Sequence, residues 1–268
     1  MDESIVDFDK PPVSEVVCGI GFAEPRGFST PHMGLFWRTV LEEFPVAEVK
    51  DVITPPGETH TIRVSNVPPP PRFFLRSEDR SELIQVQENR FLYNWLKTDD
   101  DKPYPRYKKV ITRFHEFRKR FERFLADYGF GEIAHRELRL EYVNHIPEGE
   151  GWEHPADINR IFPGFKYRRR ERRYLKPPMD FDIRSRHPVA YENSRLDVSI
   201  RTGRKPAGEN SEQRIFIFQL TVVGDVSDPA EEEMQAWFDM AREAINLSFL
   251  DLTSSNAQAK IWGIHEHR

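Results

Sequence analysis

The 268-residue chain has a single cysteine, Cys18, which excludes an internal disulfide and a cysteine-built zinc cage. Cys18 sits in an apolar, strand-like run, where a buried structural thiol is expected rather than a nucleophile. Glycine is scarce, at 14 residues, and no glycine-rich phosphate loop is present. Gly19-Ile20-Gly21 does not continue as G-x-G-x-x-G, so Rossmann and P-loop enzymes are excluded. The longest apolar stretch, Val16 to Ala23, has eight residues against the roughly 20 needed to span a bilayer. The opening MDESIVDFDKPP has no basic or apolar signal region, and a cytoplasmic protein without membrane contact is expected.

Catalytic and metal signatures are missing as well. There is no H-E-x-x-H, no convincing helical pair of histidines four apart and no G-x-S-x-G among the nine histidines and the serines. His145, His154 and Asp157 are neighbours in sequence, and Glu141 and His145 share one face of a strand, but a structural or surface role is expected of them. His265-Glu266-His267 reads as a frayed tail. No metal and no cofactor are expected.

Aromatic and charged residues, by contrast, are plentiful: 20 Phe, 5 Trp and 8 Tyr provide material for a core, and 31 % of residues are charged. The 21 prolines cluster at Pro11-Pro12, Pro55-Pro56, Pro68 to Pro71, Pro103/Pro105 and Pro177-Pro178, and punctuate segments of clear hydrophobic period. Val13 to Ala23 reads as a strand. Thr30-Pro31 supplies an N-cap and first-turn proline for a helix carrying Leu35, Phe36, Val40, Leu41 and Phe44. Strands are expected over Thr59 to Asn66, Arg72 to Ser77, Glu82 to Glu88 and Phe91 to Lys97, the last two joined by a tight hairpin at Glu88-Asn89-Arg90. Pro105 to Tyr128 predicts a long helix with Val110, Phe114, Phe117, Phe121, Phe124 and Tyr128 on one face and Gly129 as its stop.

The order then starts again. Arg136 to Ile146 predicts a strand, Pro155 to Phe162 a short helix, and Val189 to Arg201 and Arg214 to Val223 two further strands. Leu196, Val198 and Ile200 alternate with Arg195, Asp197, Ser199 and Arg201, the pattern of a half-buried antiparallel strand. The last helix is expected to open on Asp228 as N-cap, with Pro229 and Glu231 behind it, and to bury Met234, Trp237, Phe238, Ala241 and Ile245.

The expected fold class is therefore α+β, a tandem pseudo-two-fold repeat of β-α-(antiparallel strands)-α. Residues 1–130 form the first half, and 131–268 the second with a basic insertion at 160–188, together one compact unit. The TATA-binding-protein-like fold has this order of elements, an analogy that does not fix function.

Five stretches occur together: PPVSEVVCGIGF (11–22), LIQVQENRFLYNW (83–95), YPRY (104–107), YVNHI (142–146) and AINLSFLDLTSSNAQAKIWG (244–263). In this order they resemble a sporadically distributed, uncharacterised bacterial family, the "sporad" family, over about residues 11–263. The resemblance implies no activity, cofactor or catalytic residue. The patchy distribution implies accessory genes such as defence or toxin–antitoxin loci.

The formal net charge of -5 conceals segregation. Lys166, Arg168, Arg169, Arg170, Arg172, Arg173 and Lys176 crowd eleven residues with one anion, Glu171. Tyr167 and Tyr174 interleave with them, a composition suited to neutralising phosphate and stacking on bases. Residues 160–205 carry +9 and residues 105–124 carry +6, so the remainder totals -20. In the second region Lys108, Lys109, Arg113, Lys119, Arg120 and Arg123 point largely away from the phenylalanine stripe. A solvated loop, an ordinary charged helix face and an acidic-partner patch are the plainer readings of these clusters.

Gln85, Gln87, Asn94, Asn144, His145 and Gln219 form a third group, polar residues inside strand patterns. They suit either a hydrogen-bonding floor for a ligand or an internal network that satisfies itself. Three functions follow as expectations. The first is a non-catalytic binding protein for nucleic acid or nucleotide phosphate. The second is a module for an acidic protein partner, and the third an enzyme using the polar sheet face.

Overall fold

The computed structural model describes residues 6–51, 71–98, 103–166, 174, 176–191, 193–206 and 211–266. The strand expected over Thr59 to Asn66 lies outside them. The protein is a mixed α+β structure built on antiparallel sheet. The described elements are β1 (Val6–Phe8), β2 (Val13–Phe22), α1 (Thr30–Val40), β3 (Val46–Lys50), β4 (Arg72–Arg76), β5 (Glu82–Gln87), β6 (Arg90–Leu96) and α2 (Tyr107–Asp127). They continue as β7 (His135–Pro147), a 3-10 turn Pro155–Asp157 leading into α3 (Ile158–Ile161), β8 (Asp182–Pro188), β9 (Ser194–Pro206), β10 (Glu212–Asp225), α4 (Glu231–Leu252), α5 (Ser255–Lys260) and β11 (Ile264–Glu266).

The chain divides into two units. Unit 1 holds Met1–Val16, Leu140–Gly224 and Glu231–Arg268, and unit 2 holds Val17–Arg139 and Asp225–Ala230. The division runs through β2 and β7 rather than through a linker.

In unit 2 the strands are hydrogen-bonded in the order β3-β4-β5-β6-β2. Gln87 pairs with Arg90, so the β5–β6 hairpin closes on Glu88-Asn89. The phenylalanine stripe of α2 lies on one face of this sheet. Phe117 stacks on Tyr93 at 5.9 Å and Phe121 on Phe91 at 5.1 Å, while Phe36 of α1 meets Phe121 at 5.1 Å. Burying Phe side chains of this kind stabilises by roughly 1.5–3 kcal/mol each, before entropy is subtracted. Gly19 in β2 allows close approach on the other face, since a Cβ there would lie 2.1 Å from the Leu92 side chain. The cap of α1 is Ser29, one residue before the expected Thr30, and its N–H donates to His32 Nδ1 at 3.2 Å.

In unit 1 the order is β7-β10-β9-β8, with β1 paired to β11 separately. β9 and β10 run antiparallel for thirteen registered pairs, from Ser194–Gly224 to Pro206–Glu212. Leu196, Val198 and Ile200 share a face with Val222, Leu220 and Phe218. Trp152 stacks on Phe216 at 3.8 Å, Phe162 meets Phe218 at 5.0 Å, and Phe249 of α4 stacks on Phe218 at 5.7 Å. The core of unit 1 therefore lies on this face.

Four local expectations are corrected. Asp228 has a left-handed backbone, φ 45°, and its carboxylate accepts the His135 N–H at 2.6 Å, so it is spent on β7 rather than on opening α4. The strand expected from Val189 begins at Ser194, after a turn that follows β8. β3, an exposed edge strand, and β8 were not expected at all. Of His265-Glu266-His267, read as a frayed tail, His265 and Glu266 pair with Asp7 and Val6, and the His265 ring lies 2.7 Å from an Asp9 carboxylate oxygen.

Candidate nucleic-acid interface

Strand alternation sorts the charges of unit 1. Because Leu196, Val198 and Ile200 face the core, Arg195, Asp197, Ser199, Arg201 and Lys205 of β9 point to the opposite face. The β8–β9 register opposes Arg186 to Asp197 and Arg184 to Ser199, which puts both arginines on the same side. The β9–β10 register adds Gln219 opposite Ser199 and Thr221 opposite Asp197. The result is a grid of donors across three strands, turned away from α4. Arg184 and Arg186 are 74 % and 64 % exposed, Arg201 is exposed and Arg195 is half-buried.

Acidic residues hold these cations in place. Asp182 takes a two-point contact from Arg184, at 3.0 Å from Nε and 2.7 Å from Nη2. This fork raises the Arg184 guanidinium and lowers the Asp182 carboxyl from their ordinary values, chiefly through the hydrogen bonds. Asp197 bridges Arg186 at 3.3 Å and Arg195 at 3.4 Å. Such exposed pairs contribute only about 0–1 kcal/mol each.

His145 lies on this grid's side of β7, together with Glu141, whose carboxylate accepts from the Thr221 hydroxyl at 3.2 Å. Burial, with Lys205 and Arg201 close by, holds the His145 imidazole below its usual pKa of 6.5. Asn144 is the neighbouring residue and points the other way. It is buried on the core face, where its side-chain amide donates to the Phe218 carbonyl at 3.1 Å. The polar group expected from sequence is thus split: His145 and Gln219 are on the cationic face, and Asn144 belongs to the core.

Its other members belong to unit 2 and bond within that unit. Gln85 donates to Asn94 at 2.8 Å and accepts from Arg72 at 3.0 Å, and Gln87 donates to Asn89 at 3.0 Å. Arg90 grips Glu137 beside them, at 2.5 Å and 3.3 Å. All four of Gln85, Gln87, Arg90 and Asn94 are buried.

The basic face of α2 is also more subdued than its sequence. Lys108, Lys109, Lys119 and Arg123 are exposed. Arg113 contacts Glu82, Glu43 and Glu116 at 3.0, 2.9 and 2.9 Å, and Arg120 reaches Glu43 at 3.1 Å. Arg118 is buried and bound to Glu122 at 2.7 Å. Burial alone would pull the Arg113 guanidinium down, but Glu82 and Glu43 outweigh it and the net displacement is upward. Tyr93 donates to Glu82 at 2.5 Å, and burial plus the Glu82 charge push its phenol up. These groups line a cleft of about 620 Å³ with Trp95, Lys97 and Lys109. Of its described lining, Glu82, Arg113 and Tyr93 are already bonded to one another.

Of the basic run, Lys166 and Lys176 are exposed, whereas Arg168, Arg169, Arg170, Arg172 and Arg173 lie outside the described residues. Burial pushes the Cys18 thiol up, which keeps it protonated and unreactive. Among the described residues no group of three or more His, Cys, Asp or Glu side chains is placed to hold a metal ion. Nor is any described helix long and apolar enough to cross a membrane.

Sequence reasoning counted Arg184, Arg186, Arg195, Arg201 and Lys205 in the +9 of residues 160–205 but did not single them out as a site. Their signal was present, in the alternation of cations with Ile183, Leu196, Val198 and Ile200. No family model, curated protein or solved structure matches the chain.

Proposed function

We propose that the protein is a non-catalytic binding protein that takes nucleic acid or nucleotide phosphate on the cationic sheet face of unit 1. One observation carries this reading: Arg184, Arg186, Arg195, Arg201 and Lys205 share a single face of β8 and β9, opposite the core. Guanidinium forks pre-oriented by Asp182 and Asp197 suit phosphate oxygens, which they can meet with two hydrogen bonds each. Exposed Lys166 and Lys176 precede β8 in the chain and extend its cationic character.

The same reading extends to the family and the fold. The stretches at 11–22, 83–95, 104–107, 142–146 and 244–263 support membership of the sporadically distributed bacterial family, and with it a place in defence or toxin–antitoxin loci. A tandem repeat with TATA-binding-protein-like halves is supported by connectivity within each unit. In unit 2 the first strand of the pattern, β2, pairs with the last, β6, and the meander runs outward to β3. In unit 1 the first strand, β7, pairs with the last, β10, and the meander runs outward to β8.

Fluorescence anisotropy with labelled DNA and RNA tests the function. Affinity should fall by orders of magnitude between about 50 and 200 mM salt if several phosphates are neutralised. Absence of binding to both polymers, or binding indifferent to salt, would sink the reading.

A further inference from the structure

We infer that the ligand of the cationic face is double-stranded, bound through its phosphates without base stacking; this rests on the nucleic-acid reading above. The argument begins with which side chains reach the face. Counting across β8, β9 and β10, Arg184, Arg186, Arg195, Arg201 and Lys205 lie on it among Ser199, Gln219 and Ile217, with Thr221 and Ile215 buried on the same side. Among the described residues of β8, β9 and β10 none on this side is aromatic, and the ring of the neighbouring strand, His145 of β7, is half-buried. The aromatic residues of β10, Phe216 and Phe218, are both on the core face, against Trp152, Phe162 and Phe249.

That distribution separates two classes of nucleic acid. Single-strand binders gain about 1–3 kcal/mol per base by stacking on aromatic rings. The described residues of β8, β9 and β10 put no exposed ring on this face, so ionic contact and hydrogen bonding carry the affinity there. The ionic contribution favours a duplex, which releases about 0.9 counterion per neutralised phosphate against about 0.7 for a single strand. Dimensions agree. From Arg195 to Lys205 the strand advances about 33 Å at ~3.3 Å per residue, close to the ~34 Å helical turn of a duplex. Neutral donors between the charged rows, Ser199 and Gln219, are suited to further phosphate or sugar oxygens.

The test uses the full chain and three probes: a DNA duplex of about two helical turns, the corresponding RNA duplex, and a single strand of matched phosphate number. At least one duplex should bind roughly tenfold tighter than the single strand, and Arg186→Glu with Arg195→Glu should weaken that binding about 100-fold while leaving the circular dichroism spectrum unchanged. Equal or tighter binding of the single strand overturns the inference and leaves the nucleic-acid reading standing. Failure of all three probes to bind overturns both. Duplex binding left unweakened by the double reversal overturns the assignment to this face. A gain-of-function variant, Ser199→Trp, adds a ring to the middle of the grid and should selectively raise single-strand affinity.

Discussion

Each unit has a sheet face turned away from its core aromatics, and the two faces use polar residues to opposite ends. In unit 2, Gln85, Asn94, Arg72, Arg90 and Glu137 are buried or half-buried and bond to one another. In unit 1, Arg184 and Arg186 are held by carboxylates yet stay in solvent, and Arg195 is held by the same Asp197 as Arg186 while half-buried. The difference is one of burial rather than composition. A guanidinium whose water has been removed must find its partner inside the fold, and it then serves stability. A guanidinium paired at the surface exchanges its carboxylate for another anion at little cost.

The largest expected effect tests the buried side of this contrast. Arg90→Met takes the two-point partner from the Glu137 carboxylate, 17 % exposed, and leaves it only Arg139 at 3.9 Å. The loss should be about 3–5 kcal/mol, read from urea denaturation. Arg186→Met in unit 1 should change stability by less than about 0.5 kcal/mol in the same measurement. Comparable losses for the two variants would erase the distinction between the faces.

Binding should show the reverse order. Arg186→Glu together with Arg195→Glu is expected to lower duplex affinity about 100-fold near 100 mM salt and to flatten the log–log salt dependence by roughly two. Lys108→Glu together with Lys119→Glu on α2 should change affinity less than about threefold, since the helix charge around them is largely internally paired. An α2 effect as large as that of the sheet would move the interface to unit 2.

Much of this contrast was legible in sequence, and the exceptions have physical causes. The phenylalanine stripe of α2 repeats often enough that its helix and buried side were read directly. β3 was invisible because an exposed edge strand buries no residue fully and shows no alternation. β8 was hidden by its arginines, which look like loop composition until Ile183 and Ser185 are seen to alternate with them. Asn144 and His145 were grouped as one polar site although adjacent strand residues must diverge, a constraint available from the period alone. What no pattern could reveal is pairing across long separations. Arg113 reaches Glu43 seventy residues away, which turns an apparent surface cation into part of a half-buried network.

A smaller effect probes the acidic half of the grid. Asp197→Asn removes the carboxylate shared by Arg186 and Arg195, so the phosphate no longer competes with it. Duplex affinity should rise about three- to tenfold, or roughly 1 kcal/mol, with stability nearly unchanged. A fall in affinity would mean that Asp197 is needed to orient the two forks, which would make the ion pairs part of the site rather than a placeholder for its ligand.

The smallest expected effect concerns pH and rests on His145. Burial first, and then Lys205 and Arg201, hold its imidazole below 6.5. The unfolded chain takes up this proton near 6.5 and the folded chain only at lower pH. The stability linked to His145 is therefore complete above about pH 6.5 and is lost as pH falls toward the folded-state value. A bound phosphate reverses the balance by screening the two cations, so the complex takes up the proton more readily than the free protein. Duplex affinity should consequently rise as pH is lowered from 7 toward the free-protein value, by at most tenfold per pH unit for one proton, and His145→Gln should remove that rise. A pH dependence that persists in His145→Gln would assign the proton to another group and take β7 out of the interface.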